Sequence, residues 1–317
     1  MANLKSLAKD TAIYGLSSIV GRFLNYLLVP LYTHVISAAN GGYGIVTNLY
    51  GYVALLLVIL VFGMETTFFR FANNENERPN EVFSNAMLII GTLVGIFLAI
   101  IFGGIEPISQ WLGYSEHPEY IQIMASIVAL DALQAIPFSF LRFQKRAIKF
   151  ASLKLLFIIL NISLNLLYFV VLGHTDVFYI FMLNLVCTSI ITFFFLPELV
   201  KMKWQIKMQL LRRMLSYSWP ILILGIAGIL NQTADKMIFP LIYPNHEEGV
   251  VELGVYGACV KVAMIMAMIT QAFRYAYEPI VFAKSKDGDK NEYYAVAMKY
   301  FLIFTLLAFL CVIGFMP

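Results

Sequence analysis

Five charged residues lie inside long apolar runs of this sequence. Arg22, Lys236 and Lys261 are basic, and Asp131 and Asp235 are acidic. A charge at the centre of a membrane costs at least about 2.5 kcal/mol on insertion scales, so such residues usually face a water-filled cavity or the interior of a helix bundle. Their types suggest binding of an anionic group by the basic residues and ion coupling by the acidic ones.

Arg22 shares a helical face with Ser18 and Asn25, because the three stand at i, i+4 and i+7. A guanidinium can donate to two phosphate oxygens at once. Arg22 and Asn25 are therefore predicted to contact a phosphate or a sugar of a substrate. The alternative is a structural arginine satisfied by backbone carbonyls of neighbouring helices.

A second polar group comprises Asn231, Gln232, Asp235 and Lys236, which form two i, i+4 pairs on one sector of a helix. Hydrogen-bonding side chains so close together are hard to satisfy against lipid. We expect a hydrophilic cavity wall, in which Asp235 could couple transport to an ion. The alternative is an Asp235–Lys236 pair that clamps two helices.

Lys261 and Arg274 extend the basic character of the next apolar run, and Arg70 follows an earlier one. All three are candidate substrate-binding residues. For Arg70 and Arg274, which stand near the ends of their runs, membrane topology and snorkelling explain the charge equally well.

Asp131, with Gln134 nearby, is the acidic site of the first half of the chain. A carboxyl group at this depth could carry a proton or bind a sodium ion. A permanently neutral, hydrogen-bonded aspartate is the alternative.

These residues must be positioned by membrane-spanning helices. The chain is 60% hydrophobic and 13% charged, whereas a soluble domain is about a quarter charged. Apolar runs of spanning length recur along it. The sequence predicts an all-α integral membrane protein, a polytopic helical bundle with about nine transmembrane helices, at roughly 11–36, 41–64, 82–104, 120–141, 155–173, 177–197, 216–243, 253–273 and 300–316.

Apart from the three buried ones, the lysines and arginines fall in alternate connections. Arg70 and Arg78 are assigned to the connection after the second span, and Lys154 to the one after the fourth. The intervening connections carry only acidic charges. The positive-inside rule then places the amino terminus in the cytoplasm.

The chain also contains an internal repeat. Val29-Pro30-Leu31 and Gly42-Tyr43-Gly44 correspond to Phe239-Pro240-Leu241 and Val255-Tyr256-Gly257. Parallel repeats of this kind place a transport site between two pseudo-symmetric lobes. We expect an N-terminal lobe of six helices at 1–200, a cytoplasmic interfacial helix at 201–214, and at 215–317 three helices of an incomplete, apparently truncated second lobe.

At these residues the chain resembles Wzx-type polysaccharide flippases of the MATE-like MOP transporter superfamily. The resemblance rests on the segment from Tyr14 to Phe23, on Val29-Pro-Leu-Tyr32, on Gly42-Tyr-Gly44, and on the segment from Gly63 to Phe71. It implies a two-lobed transporter of the bacterial inner membrane that moves undecaprenyl-pyrophosphate-linked oligosaccharide to the outer leaflet by alternating access. Polysaccharide polymerase machinery would be a partner.

Two relatives of this kind remain alternatives: a cation-coupled drug exporter of the MATE type and a lipid II flippase of the MurJ type. The first apolar run carries Arg22 and no carboxylate, which favours an anionic substrate. An enzyme is disfavoured because the chain has no large extramembrane segment and no P-loop motif. No cofactor, metal site or nucleic-acid partner is predicted.

Overall fold

A computed structural model describes residues 28–36, 42–75, 77–201, 204–284 and 290–314. Nearly all of these residues are helical, and no strand occurs among them. This confirms the prediction of an all-α polytopic fold.

The helices follow one another with short connections. Their bounds are α1 Leu28–Val35, α2 Gly42–Val61, α3 Met64–Ala72, α4 Pro79–Gly103, α5 Ile105–Leu112, α6 Pro118–Phe143, α7 Ala147–Asn165, α8 Phe178–Lys201, α9 Met208–Ile242, α10 His246–Lys284 and α11 Lys290–Gly314. A π-helical segment, Leu166–Val171, continues α7.

Within the described residues, six helical stretches are long and apolar enough to cross a membrane. They are Gly42–Ala72, Pro79–Gly103, Pro118–Phe143, Ala147–Val171, Phe178–Pro197 and Met208–Ile242. These stretches coincide with the predicted spans from 41–64 to 216–243. Helix α10 covers the predicted span 253–273, α11 covers residues 300–314 of the predicted span 300–316, and α1 covers the end of 11–36.

Some helices extend beyond their apolar runs. The assignment of Arg70 and Lys154 to connections is wrong, because Arg70 lies in the last turn of α3 and Lys154 lies inside α7. Backbone hydrogen bonds of a helix do not require apolar side chains, so a helix can continue past the hydrocarbon layer into the interface. A span predicted from hydropathy alone is therefore too short at its basic end.

The prediction of a separate interfacial helix at 201–214 is also wrong. Helix α8 runs to Lys201, residues 204–207 are non-helical, and Met208 begins α9. The basic and apolar residues from Met208 onward thus form the first turns of a long spanning helix. A mixed composition marks the interface but does not reveal whether the chain bends there.

A sharp break separates α2 from α3. Phe62 and Gly63 both adopt positive φ, 54° and 66°, a conformation that is strained for phenylalanine and easy for glycine. A Cβ on Gly63 would lie 2.8 Å from Cγ2 of Ile221, on α9. The break allows α3 to leave the axis of α2, and the backbone of Gly63 stays close to α9.

The core lies around α6, which packs against α2, α4, α7 and α8. Phe68 of α3 is fully buried and meets Phe140 and Phe143 of α6 edge-on, with centroids 6.1 and 5.9 Å away. Edge-to-face pairs of this kind stabilise beyond simple area burial. They anchor the short helix α3 to the first half of the bundle.

Helix α2 also packs closely against α10. A Cβ on Gly44 would clash with the carbonyl of Val250, and one on Gly254 would lie 2.9 Å from the amide nitrogen of Gly44. A Cβ on Gly257 would similarly meet Thr47. Small residues let membrane helices approach at backbone distance. Gly44 and Gly257, which correspond in the internal repeat, therefore both lie at the crossing of α2 with α10.

The bundle has two ends of different character. We call the end with the 72–79, 143–147 and 201–208 connections the basic face, and the end with the 103–118, 171–178 and 242–246 connections the acidic face.

Candidate functional site

Helix α9 carries the polar group predicted at residues 231–236, and Pro240 shapes its backbone. Proline has no N–H to donate to the carbonyl four residues earlier, which belongs to Lys236. The side-chain amide of Asn48 on α2 donates to this carbonyl instead, at 2.8 Å. Tyr52 donates its hydroxyl to the next carbonyl, that of Met237, at 3.1 Å. Side chains of α2 thus donate to two carbonyls of α9, including the one that Pro240 leaves without a helical donor.

This junction continues toward the acidic face. The hydroxyl of Tyr114 donates to Oδ1 of Asn48 at 3.0 Å, and the Tyr114 ring meets His246 edge-on. Burial raises the pKa of Tyr114, so its hydroxyl remains a neutral donor. Asn48 and Tyr114 are 2% and 6% exposed, which leaves little access for competing water.

Asp235 pairs with a residue of the adjacent helix. The hydroxyl of Tyr256 on α10 donates to Oδ2 of Asp235 at 2.6 Å. Nζ of Lys236 instead donates to the carbonyl of Gln232, one turn earlier, at 3.1 Å. The clamp between Asp235 and Lys236, considered as an alternative above, is therefore not formed in this structure.

Lys261 of α10 is half-buried and lies within electrostatic range of Lys236 on α9. The side chains of Asn231 and Gln232 on the same stretch of α9 are exposed. We call Asn231, Gln232, Asp235, Lys236 and Lys261 the α9–α10 polar patch. Two lysines that repel each other create a local positive potential, to which an anion would be attracted.

Asp131 lies on α6 in the first half of the bundle, away from this patch. It interacts electrostatically with Lys154 of α7 and with Tyr50 of α2. Within the described part of the chain, no side chain donates a hydrogen bond to its carboxylate. The role of Asp131 in ion coupling therefore stays a prediction.

Polar side chains of α2, α6 and α8 form hydrogen bonds in the same half of the bundle. Nδ2 of Asn184 donates to the Tyr50 hydroxyl oxygen at 2.5 Å, and Nε2 of Gln134 donates to Oγ1 of Thr192 at 2.7 Å. Sequence reasoning identified Gln134 but missed Tyr50, Asn184 and Lys154. Lys154 was missed because it was assigned to a connection.

A further buried polar contact joins α1 to α7. The Tyr32 hydroxyl donates to Oδ1 of Asn165 at 2.8 Å, and Nδ2 of Asn165 donates to the Asn161 carbonyl at 2.7 Å. The π-helical segment begins immediately after Asn165, and such segments are frequent at functional sites. No sequence pattern pointed to this contact.

The basic face carries a third group of contacts, between α3–α4 and α9. The Arg70 guanidinium lies over the Tyr217 ring at 4.1 Å, Arg213 forms an ion pair with Glu77, and Lys207 approaches Glu81 at 2.6 Å. We call these three pairs the basic-face latch. Glu77 and Glu81 are only 9% and 4% exposed. Buried carboxylates of this kind need their cationic partners, because an unpaired buried charge is strongly unfavourable.

Of the predicted site residues, the structure brings together Asn231, Gln232, Asp235, Lys236 and Lys261. It separates Arg70 and Asp131 from them. Arg22 and Asn25 lie outside the described residues, as does the side chain of Arg274. Among the residues searched, no group of three or more histidine, cysteine, aspartate or glutamate side chains could hold a metal ion.

The chain matches a known protein family. A family model described as "Polysaccharide biosynthesis protein" matches residues 7–282. No curated protein and no solved structure matches the chain.

Proposed function

Because the chain belongs to the polysaccharide biosynthesis protein family, which comprises Wzx-type flippases of the MOP superfamily, we propose that it flips undecaprenyl-pyrophosphate-linked oligosaccharide. The family's members are transporters, and the membrane helices of this chain agree with that role. The cargo would pass from the cytoplasmic to the outer leaflet of a bacterial inner membrane. The observation that carries the substrate class is the placement of Lys236 and Lys261 together at the α9–α10 polar patch.

The two lysines suit a diphosphate. Nζ of Lys236 donates to a neutral carbonyl of its own helix, and a phosphate oxygen forms a stronger, charge-assisted hydrogen bond. Lys236 can therefore exchange its present partner for an anionic substrate at small cost. Asn231 and Gln232, together with Asn25, would contact sugar hydroxyls. Arg22 and Arg274 are proposed as further diphosphate contacts, and Arg70 as a contact near the basic face.

Alternating access between two lobes, 1–200 and 215–317, would move the cargo. In this structure α9 contacts the first half of the bundle at both ends, through Thr67 and Ser218 near the basic face and through Asn48 near the acidic face. We propose that these contacts hold the two lobes closed toward each other at these two levels. We propose that the basic face is cytoplasmic and that loading of the cargo requires the basic-face latch to open.

Asp131 and Asp235 are the proposed ion-coupling residues, with a proton or a sodium ion as the coupling ion. Protonation of Asp235 would remove the charge that accepts the Tyr256 hydrogen bond, which would loosen α9 from α10. Asp131 would act in the first half of the bundle, where Lys154 supplies a balancing charge. Polysaccharide polymerase machinery would receive the flipped product.

Reconstitution tests the proposal. The protein is placed in proteoliposomes with fluorescent undecaprenyl-pyrophosphate oligosaccharide, and the fraction reaching the opposite leaflet is measured by chemical quenching. We expect flipping to exceed that of protein-free vesicles. If folded protein leaves this lipid in place and exports a cationic dye, it is a drug exporter. Movement of lipid II with no movement of the oligosaccharide lipid would indicate the MurJ-type activity.

A further inference from the structure

The first turns of α9 present a polar stripe at the basic face. Gln209, Arg212, Arg213 and Ser216 line an open groove of about 660 Å³. They stand at i, i+3, i+4 and i+7, so they share one face of the helix. The opposite face, with Leu210, is buried. The groove therefore lies on the exposed side of α9, whose opposite side packs against the bundle.

Hydrogen-bond donors dominate this groove. The two guanidinium groups carry only donors, while the amide and the hydroxyl can each donate as well as accept. The amino-terminal end of α9, which begins at Met208, adds the positive end of the helix dipole. Phosphate oxygens are the acceptors that best match adjacent guanidinium groups, because each guanidinium can donate two parallel hydrogen bonds.

The two arginine side chains differ in their contacts with the rest of the protein. Within the described part of the chain, Arg212 is exposed and forms neither an ion pair nor a hydrogen bond. Arg213 is held by Glu77 and lies 5.8 Å from the centre of the Phe71 ring. An anion in the groove would meet Arg212 first. It would also compete with Glu77 for Arg213, which is still 55% exposed.

Exposed tryptophans flank the groove, as they do at the headgroup level of membrane proteins. Trp219, one turn beyond the stripe, is 56% exposed, and Trp204, which precedes α9, is 50% exposed. Tryptophan is enriched where membrane meets water. Met208 and Ile206 expose apolar side chains at the same end. A ligand in this groove would thus lie where a lipid can place its headgroup while its chains remain in the membrane.

We propose that this groove binds the phosphate headgroup of a membrane lipid and that binding weakens the Arg213–Glu77 pair of the basic-face latch. The occupant that we propose is an anionic phospholipid of the surrounding bilayer, whose headgroup meets the arginines while its acyl chains remain in the membrane. This site does not depend on the proposed function.

Native mass spectrometry of the full chain in detergent tests the site, because it counts lipids bound to the protein. Phosphatidylglycerol and undecaprenyl diphosphate are titrated separately. We expect Arg212→Ala to weaken binding about tenfold, as loss of a charge-assisted contact should. The matched control is Lys145→Ala, which removes an exposed positive charge on the same face but outside the groove. We expect phosphatidylglycerol to bind at least as tightly as undecaprenyl diphosphate, and a clear preference for the diphosphate would overturn the phospholipid as occupant.

A second pair of variants tests the competition with the latch. Glu77→Gln frees Arg213 and is expected to strengthen headgroup binding severalfold. Glu75→Gln removes an exposed acidic charge two residues away without touching Arg213 and should change binding little. The proposal is overturned if Arg212→Ala binds both lipids as Lys145→Ala does, or if the two glutamate variants behave alike. Binding that depends on Arg212, in a protein that flips no oligosaccharide lipid, would leave the groove standing and reject the proposed function.

Discussion

Asn48 supplies helix α9 with a hydrogen bond that Pro240 cannot form. Asn48 donates to the Lys236 carbonyl, which the missing N–H of Pro240 leaves without an intrahelical partner. This pairing yields a prediction that concerns only two residues. The two polar groups of Lys236 bind different partners, since its carbonyl accepts from Asn48 of α2 while its amine donates to the Gln232 carbonyl.

Asn48→Ala should lower the free energy of unfolding by about 1–3 kcal/mol, because it leaves a buried carbonyl unsatisfied. In a Pro240→Ala background the restored N–H can take over, so the same substitution should cost less. Unfolding of all four proteins in detergent gives the coupling energy. Equal costs in both backgrounds would show that the Asn48–Lys236 contact is not what stabilises this junction.

Asp131 gives a second prediction at the same scale. If its carboxylate exchanges the coupling ion, Asp131→Asn should flip substrate at a rate that no longer responds to an imposed proton or sodium gradient. The matched control is Glu116→Gln, which neutralises an exposed acid of the acidic face. Gradient dependence that survives in Asp131→Asn would remove this residue from ion coupling.

The sequence indicated which residues form the polar sector of α9, but it did not indicate their hydrogen-bond partners. The spacing of Asn231, Gln232, Asp235 and Lys236 predicted one polar sector. It could not show that Asp235 meets Tyr256 or that Lys236 turns to the Gln232 carbonyl. Such contacts depend on how far neighbouring helices rotate and slide, which one-dimensional spacing does not specify. Pro240 leaves the Lys236 carbonyl without a helical donor, and no pattern in the sequence indicated that Asn48 would satisfy it.

At the scale of elements, the crossing of α2 and α10 depends on glycine. A methyl group on Gly44 has no room beside the Val250 carbonyl, so the two helices must separate to accommodate it. Overpacking of this kind typically costs about 1–3 kcal/mol.

Gly44→Ala should therefore lower the unfolding temperature in detergent. Gly91→Ala, in α4, provides a matched control, because nothing lies within 4 Å of a Cβ placed there. We expect Gly91→Ala to be neutral or slightly stabilising, since alanine loses less backbone entropy on folding. Two variants with the same loss of stability would mean that helix propensity, and not the α2–α10 crossing, sets the cost at Gly44.

Helix positions were largely predictable from hydropathy, and helix ends were not. Six predicted spans coincide with apolar helices, but α3 and the beginnings of α7 and α9 extend into basic sequence. Hydropathy measures the hydrocarbon layer, whereas helix ends are set by breakers and caps. The break at Phe62 and Gly63 illustrates this, because only the glycine hinted at it.

At the scale of the whole molecule, the basic-face latch must open if the two lobes alternate. Thr67 and Ser218 offer a position to lock it, because their hydroxyl oxygens are 2.5 Å apart across α3 and α9. Thr67→Cys combined with Ser218→Cys should form a disulfide under oxidation and stop flipping. Reduction should restore activity, and each single cysteine variant serves as a control for the native cysteines. Undiminished flipping by a fully cross-linked protein would contradict opening at this face.

The division into two lobes stays a prediction, although the repeat has a counterpart in the structure. The repeat matches Gly44 with Gly257 in the sequence, and both glycines lie at the crossing of α2 with α10. The repeat did not predict the basic-face latch, because Arg70, Glu77 and Arg213 have no special spacing in the sequence. Contacts between distant segments arise only once the bundle has formed.

The central claim is that a positively charged patch between α9 and α10 carries a lipid diphosphate across the membrane. Its most direct test is the rate of flipping of undecaprenyl-pyrophosphate oligosaccharide in proteoliposomes by Lys261→Gln, alongside Lys145→Gln as a control of equal charge change. We predict a loss of at least tenfold for Lys261→Gln, since a charge-assisted contact disappears, and near-normal flipping for the control. Equal rates for the two variants would contradict the account.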